Sequence, residues 1–263
     1  MYSKKNTFEK NGYLIGKNLL NENEIIKYRQ EIKVLHKKAT DLKKSGAIKN
    51  NDFQIEPFLE KPKVTSPILR KIENTHNHSE HFFQLARHDS IISIVKELLG
   101  QDLLLFRSTL MLKPALHGSE HSFHQDSSYW PIDPPNLVTV SIAIDEATVE
   151  NGCIKVIPGS HLSDLQEWGQ IAKPPKLQSS ESQKTIDRNQ LDIPLLPGSA
   201  IFFHSKLIHG SGPNRSQNSR NTALYAYFNP QVRYVPQDSM PRSRSFPVIA
   251  GLGGTKTFEM TAE

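Results

Sequence analysis

The segment Phe123-His124-Gln125-Asp126 holds the first pair of side chains in this chain whose types and spacing suit metal chemistry. On an extended strand, residues two apart face the same side, so the His124 imidazole and the Asp126 carboxylate can approach one ion. A second histidine from a distant strand completes a facial set of two histidines and one carboxylate. That set leaves the remaining coordination positions open for a co-substrate and dioxygen, as non-haem iron(II) requires. His161, His204 and His209 are candidates for the second histidine. His209 is preferred because it follows an apolar run, in Ile208-His209-Gly210-Ser211-Gly212-Pro213-Asn214, and precedes Arg220 by eleven residues. A chelating co-substrate such as 2-oxoglutarate binds iron through its 2-oxo acid end and needs a cation for its remote carboxylate. The planar fork of Arg220 is shaped for that task.

Positioning such residues takes strands, and the strand signals begin near residue 102. Val138, Val140, Ile142 and Ile144 alternate with Thr139, Ser141 and Ala143, the period of a strand with one face buried. Asn151-Gly152 signals a turn before Cys153 to Ile157, and Pro158-Gly159 and Pro197-Gly198 signal two more. Ser199 to Phe203 and Thr222 to Phe228 read as further strands. Up to about residue 100 the pattern is helical instead. Ile25, Tyr28, Ile32 and Leu35 recur at helical spacing between Asn21 and Ser45, and a second helix runs from an Asp89 cap to Gly100. Short strands with turns between them favour an antiparallel sandwich or barrel. The expected fold is mainly β with flanking helices, a double-stranded β-helix (jelly roll, cupin-like) with a helical N-terminal layer. The expected organisation is one catalytic domain over 1–263. It comprises a mostly helical layer at 1–100, a jelly-roll core at 101–235 with a lid-like insertion at 163–190, and a C-terminal extension at 236–263.

The 263 residues carry a formal charge of +5, and residues 1–50 alone hold eleven Lys and one Arg against five acids. Most of these lysines fall on the polar face of the Asn21–Ser45 helix, including Lys33 and Lys37. The ordinary reading is a solvated face, and a bolder one is a surface that steers an acidic carrier bearing the substrate. No interleaved aromatic platform or reading motif accompanies the charge, so nucleic acid is not an expected partner. The single cysteine, Cys153, excludes an internal disulfide framework and fits a reducing compartment, with the cytoplasm as the default. No window is apolar enough to span a bilayer, and no apolar leader region is visible at the N-terminus.

The ordered set of motifs resembles the phytanoyl-CoA dioxygenase family of iron(II)- and 2-oxoglutarate-dependent oxygenases. His124-Gln125-Asp126, Asn151-Gly152-Cys153, Pro158-Gly159-Ser160-His161, Pro197-Gly198, Phe202-Phe203-His204, His209-Gly210-Ser211-Gly212 and Arg220 stand in that family's order. The resemblance covers about 100–229 strongly and the N-terminal helices weakly. It implies that His124, Asp126 and His209 hold Fe(II), and that Arg220, with Ser211 beside it, holds the distal carboxylate of 2-oxoglutarate. It also implies that Lys71 reaches the co-substrate. The implied reaction consumes dioxygen, releases succinate and carbon dioxide, and hydroxylates an unactivated C–H bond of a small-molecule metabolite. Desaturation or cyclisation would share its first steps. One departure bears on the substrate: Ile142 stands where the phytanoyl-CoA enzyme has a tryptophan, which implies different packing around the co-substrate, so acyl-CoA specificity is not carried over. Among the other residues, His117, His121 and His161 read as turn or surface histidines near a site. Tyr129 and Trp130 read as pocket wall or core, and Arg107 and Arg233 are candidates to face a substrate anion. The alternative is a non-enzymatic jelly roll that binds a ligand and uses these histidines structurally.

Overall fold

The structure is a computed structural model that describes residues 3–46, 52–56, 68–167 and 189–262. Helices α1 (Lys4–Asn11) and α2 (Glu22–Lys44) flank strand β1 (Tyr13–Gly16). Strands β2 (Phe53–Ile55) and β3 (Leu69–Glu73) lead into helices α3 (Thr75–His78), α4 (Glu80–Leu85) and α5 (Asp89–Leu99). Then come β4 (Leu103–Lys113), β5 (His121–His124), β6 (Ile132–Asp133), β7 (Leu137–Ala143), β8 (Ile154–Val156) and β9 (Leu191–Ile193). The chain continues with β10 (Ala200–His204), β11 (His209–Ser211), β12 (Arg220–Phe228), β13 (Arg233–Tyr234), β14 (Ser243–Ala250) and β15 (Thr257–Thr261).

Nine strands form a major antiparallel sheet in the order β1-β10-β7-β12-β4-β14-β15, with β3 also paired to β4 and β2 to β3. Four strands form a minor sheet, β5-β11-β8-β9, and β13 pairs with β6. The jelly-roll expectation is met, and the N-terminal region proves less purely helical than its periodicity suggests. It lends β1, β2 and β3 to the major sheet, while β14 and β15 extend that sheet from the C-terminal side.

Helix α2 begins where its sequence says it should. Asn21 accepts from the Glu24 amide at 3.0 Å while the Glu24 carboxylate accepts from the Asn21 amide at 2.8 Å, a reciprocal cap that satisfies two otherwise orphaned donors. Its apolar stripe, Ile25, Tyr28, Ile32, Leu35 and Ala39, is buried, and Lys33 and Lys37 are exposed. In α5 the cap position is His88, not Asp89 as expected. Asp89 is the first helical residue, where its negative charge still favours the helix N-terminus.

Strand β7 departs most instructively from its expected pattern. All seven of its residues are buried, so its polar alternation does not mark a solvent face. Val138, Val140 and Ile142 join Tyr225, Tyr227, Leu110 and Leu112 in the core that receives α2, α4 and α5. Thr139 and Ser141 point the other way, toward the space between the two sheets, where Ser141 lines a cavity. The lysine-rich helix therefore lies behind the major sheet, on the side away from that cavity. The expected lid at 163–190 falls mainly on 168–188, outside the described residues. Its first residues are tied down, with the Gln166 amide donating to the Gln125 side chain at 2.9 Å.

Candidate metal centre

Strand β5 ends at His124, and Asp126 opens a single turn of 3-10 helix, so the pair is not carried on one unbroken strand as expected. The two side chains nevertheless converge, and His209, directly opposite His124 in the β11–β5 register, joins them. His124 Nε2 lies 3.6 Å and His209 Nε2 3.9 Å from Asp126 Oδ1. Among the described residues this is the one group of three such side chains whose ligand atoms all fall within 4.8 Å of one another.

Backbone carbonyls fix both histidine tautomers. His124 Nδ1 donates to the Ser122 carbonyl at 2.8 Å, and His209 Nδ1 donates to the Leu207 carbonyl at 2.9 Å. Each ring thus keeps its proton on Nδ1 and turns the Nε2 lone pair toward the common point, the usual arrangement for a metal-binding imidazole. Thr139 donates to Asp126 Oδ2 at 2.9 Å, which leaves Oδ1 as the inward oxygen. Burial presses the His209 pKa down, with His124 adding to the effect, to about 4, so the ring is neutral near pH 7. Burial works to raise the Asp126 pKa, but His209, His124 and Arg107 outweigh it and hold it at about 2. Two imidazole nitrogens and one carboxylate oxygen, buried and aimed at one point, suit a divalent cation.

Arg220 starts β12 on the cavity side of the sheet, opposite Lys113 of β4. Its guanidinium donates to the Gly152 carbonyl at 2.5 Å and to Thr222 Oγ1 at 3.2 Å, while its buried Nε has no acceptor. Burial lowers its pKa to about 10, against the opposing fields of Cys153 and Asp145, and among the described residues no carboxylate forms an ion pair with it. A buried guanidinium held only by neutral oxygens, with a donor unused, fits the carboxylate of a bound dicarboxylate. Gly152 makes this placement possible. It sits at φ +79°, and a Cβ there would collide with the Gly212 carbonyl, so the Asn-Gly and Gly-Ser-Gly motifs meet backbone to backbone beside Arg220.

The other expected residues separate into those at the cavity and those away from it. Ser211 and Lys71 line it, with Lys71 in an ion pair to Glu73 at 2.7 Å. Ile142 does not line it. Its side chain is on the helix side of β7, so the expectation that it packs against the co-substrate is corrected, and the neighbouring Ser141 meets the cavity instead. His204 and His161 pair with each other 5.5 Å apart, away from the three convergent residues, and His161 Nε2 donates to the Glu9 carbonyl at 3.0 Å. His117 is exposed, and Arg233 is exposed in a pair with Asp133. Tyr129 stands beside His124 with ring centroids 6.3 Å apart, while Trp130 packs on Phe106. Arg107 lines the cavity but is held by both oxygens of Glu73, at 3.1 and 2.6 Å.

Sequence reasoning missed Arg70 and Lys113 and undervalued His121, all three of which line the cavity. Lys113 could have been found, since it continues the inward alternation of Arg107, Thr109 and Met111 along β4. Arg70 and His121 sit at irregular pairings that a period-two reading cannot anticipate.

Comparison with known proteins agrees with this geometry. The family model for phytanoyl-CoA dioxygenase (PhyH) matches residues 8–222. A probable phytanoyl-CoA dioxygenase of Caenorhabditis elegans is 27% identical over 245 residues, covering 87% of this chain and 75% of the relative. A probable alpha-ketoglutarate-dependent hypophosphite dioxygenase of Stutzerimonas stutzeri is 26% identical over 226 residues, covering 82% and 74%. In fold, the chain resembles the crystal structure of EctD from S. alaskensis with bound Fe, at a TM-score of 0.72 and 21% identity, with 99% of this chain and 86% of that one covered. With most of its length matched by the family model, this chain belongs to the phytanoyl-CoA dioxygenase family of iron- and 2-oxoglutarate-dependent oxygenases.

Proposed function

We propose that His124, Asp126 and His209 hold Fe(II), and that Arg220, with Ser211 nearby, holds the distal carboxylate of 2-oxoglutarate in a hydroxylase acting on a small-molecule metabolite. The observation that carries this reading is the coexistence, in one cavity, of three convergent ligands and a buried guanidinium with an unused donor. When bound, iron(II) with 2-oxoglutarate and dioxygen supplies the oxidising power for C–H hydroxylation, with release of succinate and carbon dioxide.

The chain contributes geometry, charge and dryness. The Ser122 and Leu207 carbonyls orient the two imidazoles, and Thr139 orients the carboxylate, so the ligands are in place before an ion arrives. Arg220 fixes the far end of the co-substrate relative to them, and Lys71, held by Glu73, stands in the same wall as a further cation. Met111, Ile154, Phe203 and Leu224 line the cavity and limit its water, which strengthens each of these electrostatic contacts.

Among the described residues no helix is long and apolar enough to cross a membrane. A reducing cytoplasm suits the buried thiol of Cys153. A carrier-borne substrate would have to approach from the cavity side, because the basic face of α2 lies behind the major sheet.

Anaerobic addition of Fe(II) and 2-oxoglutarate should produce a visible metal-to-ligand charge-transfer band, and admitting air should release succinate. Neither signal appearing would favour the non-enzymatic ligand-binding jelly roll.

A further inference from the structure

The basic residues of the cavity continue well past Arg220. Arg107, Lys71, Arg70, Lys113 and Arg220 all line it. Strand order places them along the wall: Arg220 on β12 lies opposite Lys113 on β4, and β3, paired to β4 through Lys71 and Met111, carries Arg70 beside Lys71. The two ends of this arc are already accounted for. Arg107 and Lys71 share Glu73, whose pKa burial would raise but the two cations hold at about 2. Arg220 faces the co-substrate in the reading above. Lys113 donates to the carbonyls of Gly212 and Ser211.

Arg70 is different, because the fold goes out of its way to bring it in. Pairing between β2 and β3 runs from Gln54 with Lys71 to Ile55 with Leu69, so Arg70 is an extra residue on β3. On the opposite sheet, β11 pairs His209 with His124 and Ser211 with His121, so β5 also carries an extra residue. A bulge turns a side chain off its regular face, and these two turn Arg70 and His121 toward each other. Arg70 Nη2 donates to His121 Nε2 at 3.0 Å. The His121 ring must then keep its proton on Nδ1, and that atom is buried without an acceptor. Among the described residues no carboxylate lies within ion-pairing distance of Arg70. Glu56 acts on it only through its longer-range field, and Glu56 Oε2 accepts from the Ser119 amide at 3.3 Å.

Arg70 is thus a buried guanidinium at a cavity wall whose one hydrogen-bond partner is a neutral ring, and that ring has its own donor unused. A neutral or apolar occupant would leave the His121 donor unpaired and the Arg70 charge without a counter-ion, at a cost that an acceptor with negative charge removes. The distal carboxylate of 2-oxoglutarate serves Arg220, and Lys113 stands between Arg220 and Arg70. We propose that the substrate of this enzyme carries an oxyanion, a carboxylate or a phosphonate-type group, and that Arg70 receives it. The proposal names the substrate class and rests on the oxygenase reading. The competing role for Arg70 is a latch that joins β3 to β5.

The test uses the whole chain loaded anaerobically with Fe(II) and 2-oxoglutarate at constant ionic strength. Acetate, methylphosphonate and the neutral isostere acetamide are titrated in turn, with the charge-transfer band and the thermal midpoint both recorded. Acetate or methylphosphonate should shift both signals saturably and acetamide should not, and the two acids against each other identify the group. Arg70→Gln should raise the half-saturating anion concentration about tenfold or more and leave that of 2-oxoglutarate within about twofold, as expected for loss of one charge-assisted contact. No saturable response to either anion in the wild-type protein would overturn the proposal. So would an unchanged anion response in Arg70→Gln accompanied by a lower thermal midpoint, the latch outcome. The acid-against-amide contrast needs no substitution and decides whether the cavity takes an anion, and Arg70→Lys, which keeps the charge, serves in place of Arg70→Gln to assign it if that variant does not fold. Absence of the charge-transfer band in the wild-type protein would instead count against the oxygenase reading, and the thermal midpoint would still report whether Arg70 binds anions.

Discussion

The two faces of the major sheet are made by alternate residues of the same strands, and they have opposite characters. On the outer face Val138, Val140, Ile142, Ala223, Tyr225 and Tyr227 pack against the helices. Where that face carries a hydroxyl, the helix backbone satisfies it: Tyr225 donates to the Phe82 carbonyl at 2.7 Å and Tyr227 to the Ala86 carbonyl at 2.9 Å. On the inner face Ser141, Thr222, Lys113 and Arg220 line the cavity. There the polar groups are also buried, yet Arg220 Nε is left without a partner. One face is closed chemically and contributes stability. The other is left open, at a cost in stability, for molecules that complete it.

Substitutions can break or sharpen this contrast. The largest loss of function is expected across the cavity from the inner face, at the three convergent side chains that the minor sheet and the turn after β5 supply. His124→Ala and His209→Ala should each abolish iron-dependent succinate release while the circular-dichroism spectrum stays native, because an open facial set holds iron weakly with a ligand removed. Asp126→Asn should fall between wild type and Asp126→Gly, since it keeps shape and loses charge. Equal succinate release in all of these variants would place the metal elsewhere. Next comes the outer face. Phe82 is fully buried, and Phe82→Ala should cost about 3–5 kcal/mol in urea unfolding with turnover per folded molecule little changed. A comparable loss of turnover per folded molecule would mean that the two faces are not separable.

Arg220→Ala should raise the 2-oxoglutarate requirement by about 2–5 kcal/mol in binding free energy, with a much smaller effect on the iron requirement. Titration of the charge-transfer band reads both, and an unchanged co-substrate requirement would move the clamp to Lys71 or Lys113. The smallest effect is expected at Thr139, which touches the metal set only through Asp126. Thr139→Val should weaken iron binding about tenfold, the low end for an outer hydrogen bond to a ligand. Unaltered iron affinity would show that packing alone orients the carboxylate.

Much of this was legible because it depends on short spacing or on alternation. His124 and Asp126 are two apart, the apolar alternation of β7 is strict, and Arg220 follows His209 across a turn, so local periodicity was enough to nominate them. Alternation alone did not say what the polar face of β7 meets. Buried Thr139 and Ser141 read like solvent-facing residues, because a second sheet across a cavity leaves no mark on the strand itself. Nor did spacing reveal Arg70 and His121, whose inward aim comes from an extra residue in each strand and is fixed by pairing with distant partners. Strands β1 and β3 escaped notice because they interrupt a region whose surrounding periodicity is helical, whereas β8 and β10, which are no greater in length, stand among other strand signals.

The close approach of Gly152 and Gly212 has a consequence for how this chain can vary. The Gly152 carbonyl accepts from Arg220, and the Gly212 carbonyl accepts from Lys113, so two turns remote in sequence set the positions of two cavity cations through their peptide groups. A single methyl group added at Gly152 would drive the Gly212 peptide outward, so one substitution in a buried turn would detune both cations at once without touching either side chain. The constraint is one-sided: Gly152 has no room for an added atom, whereas a Cβ at Gly212 would meet nothing nearer than the Lys155 side chain at 4.0 Å.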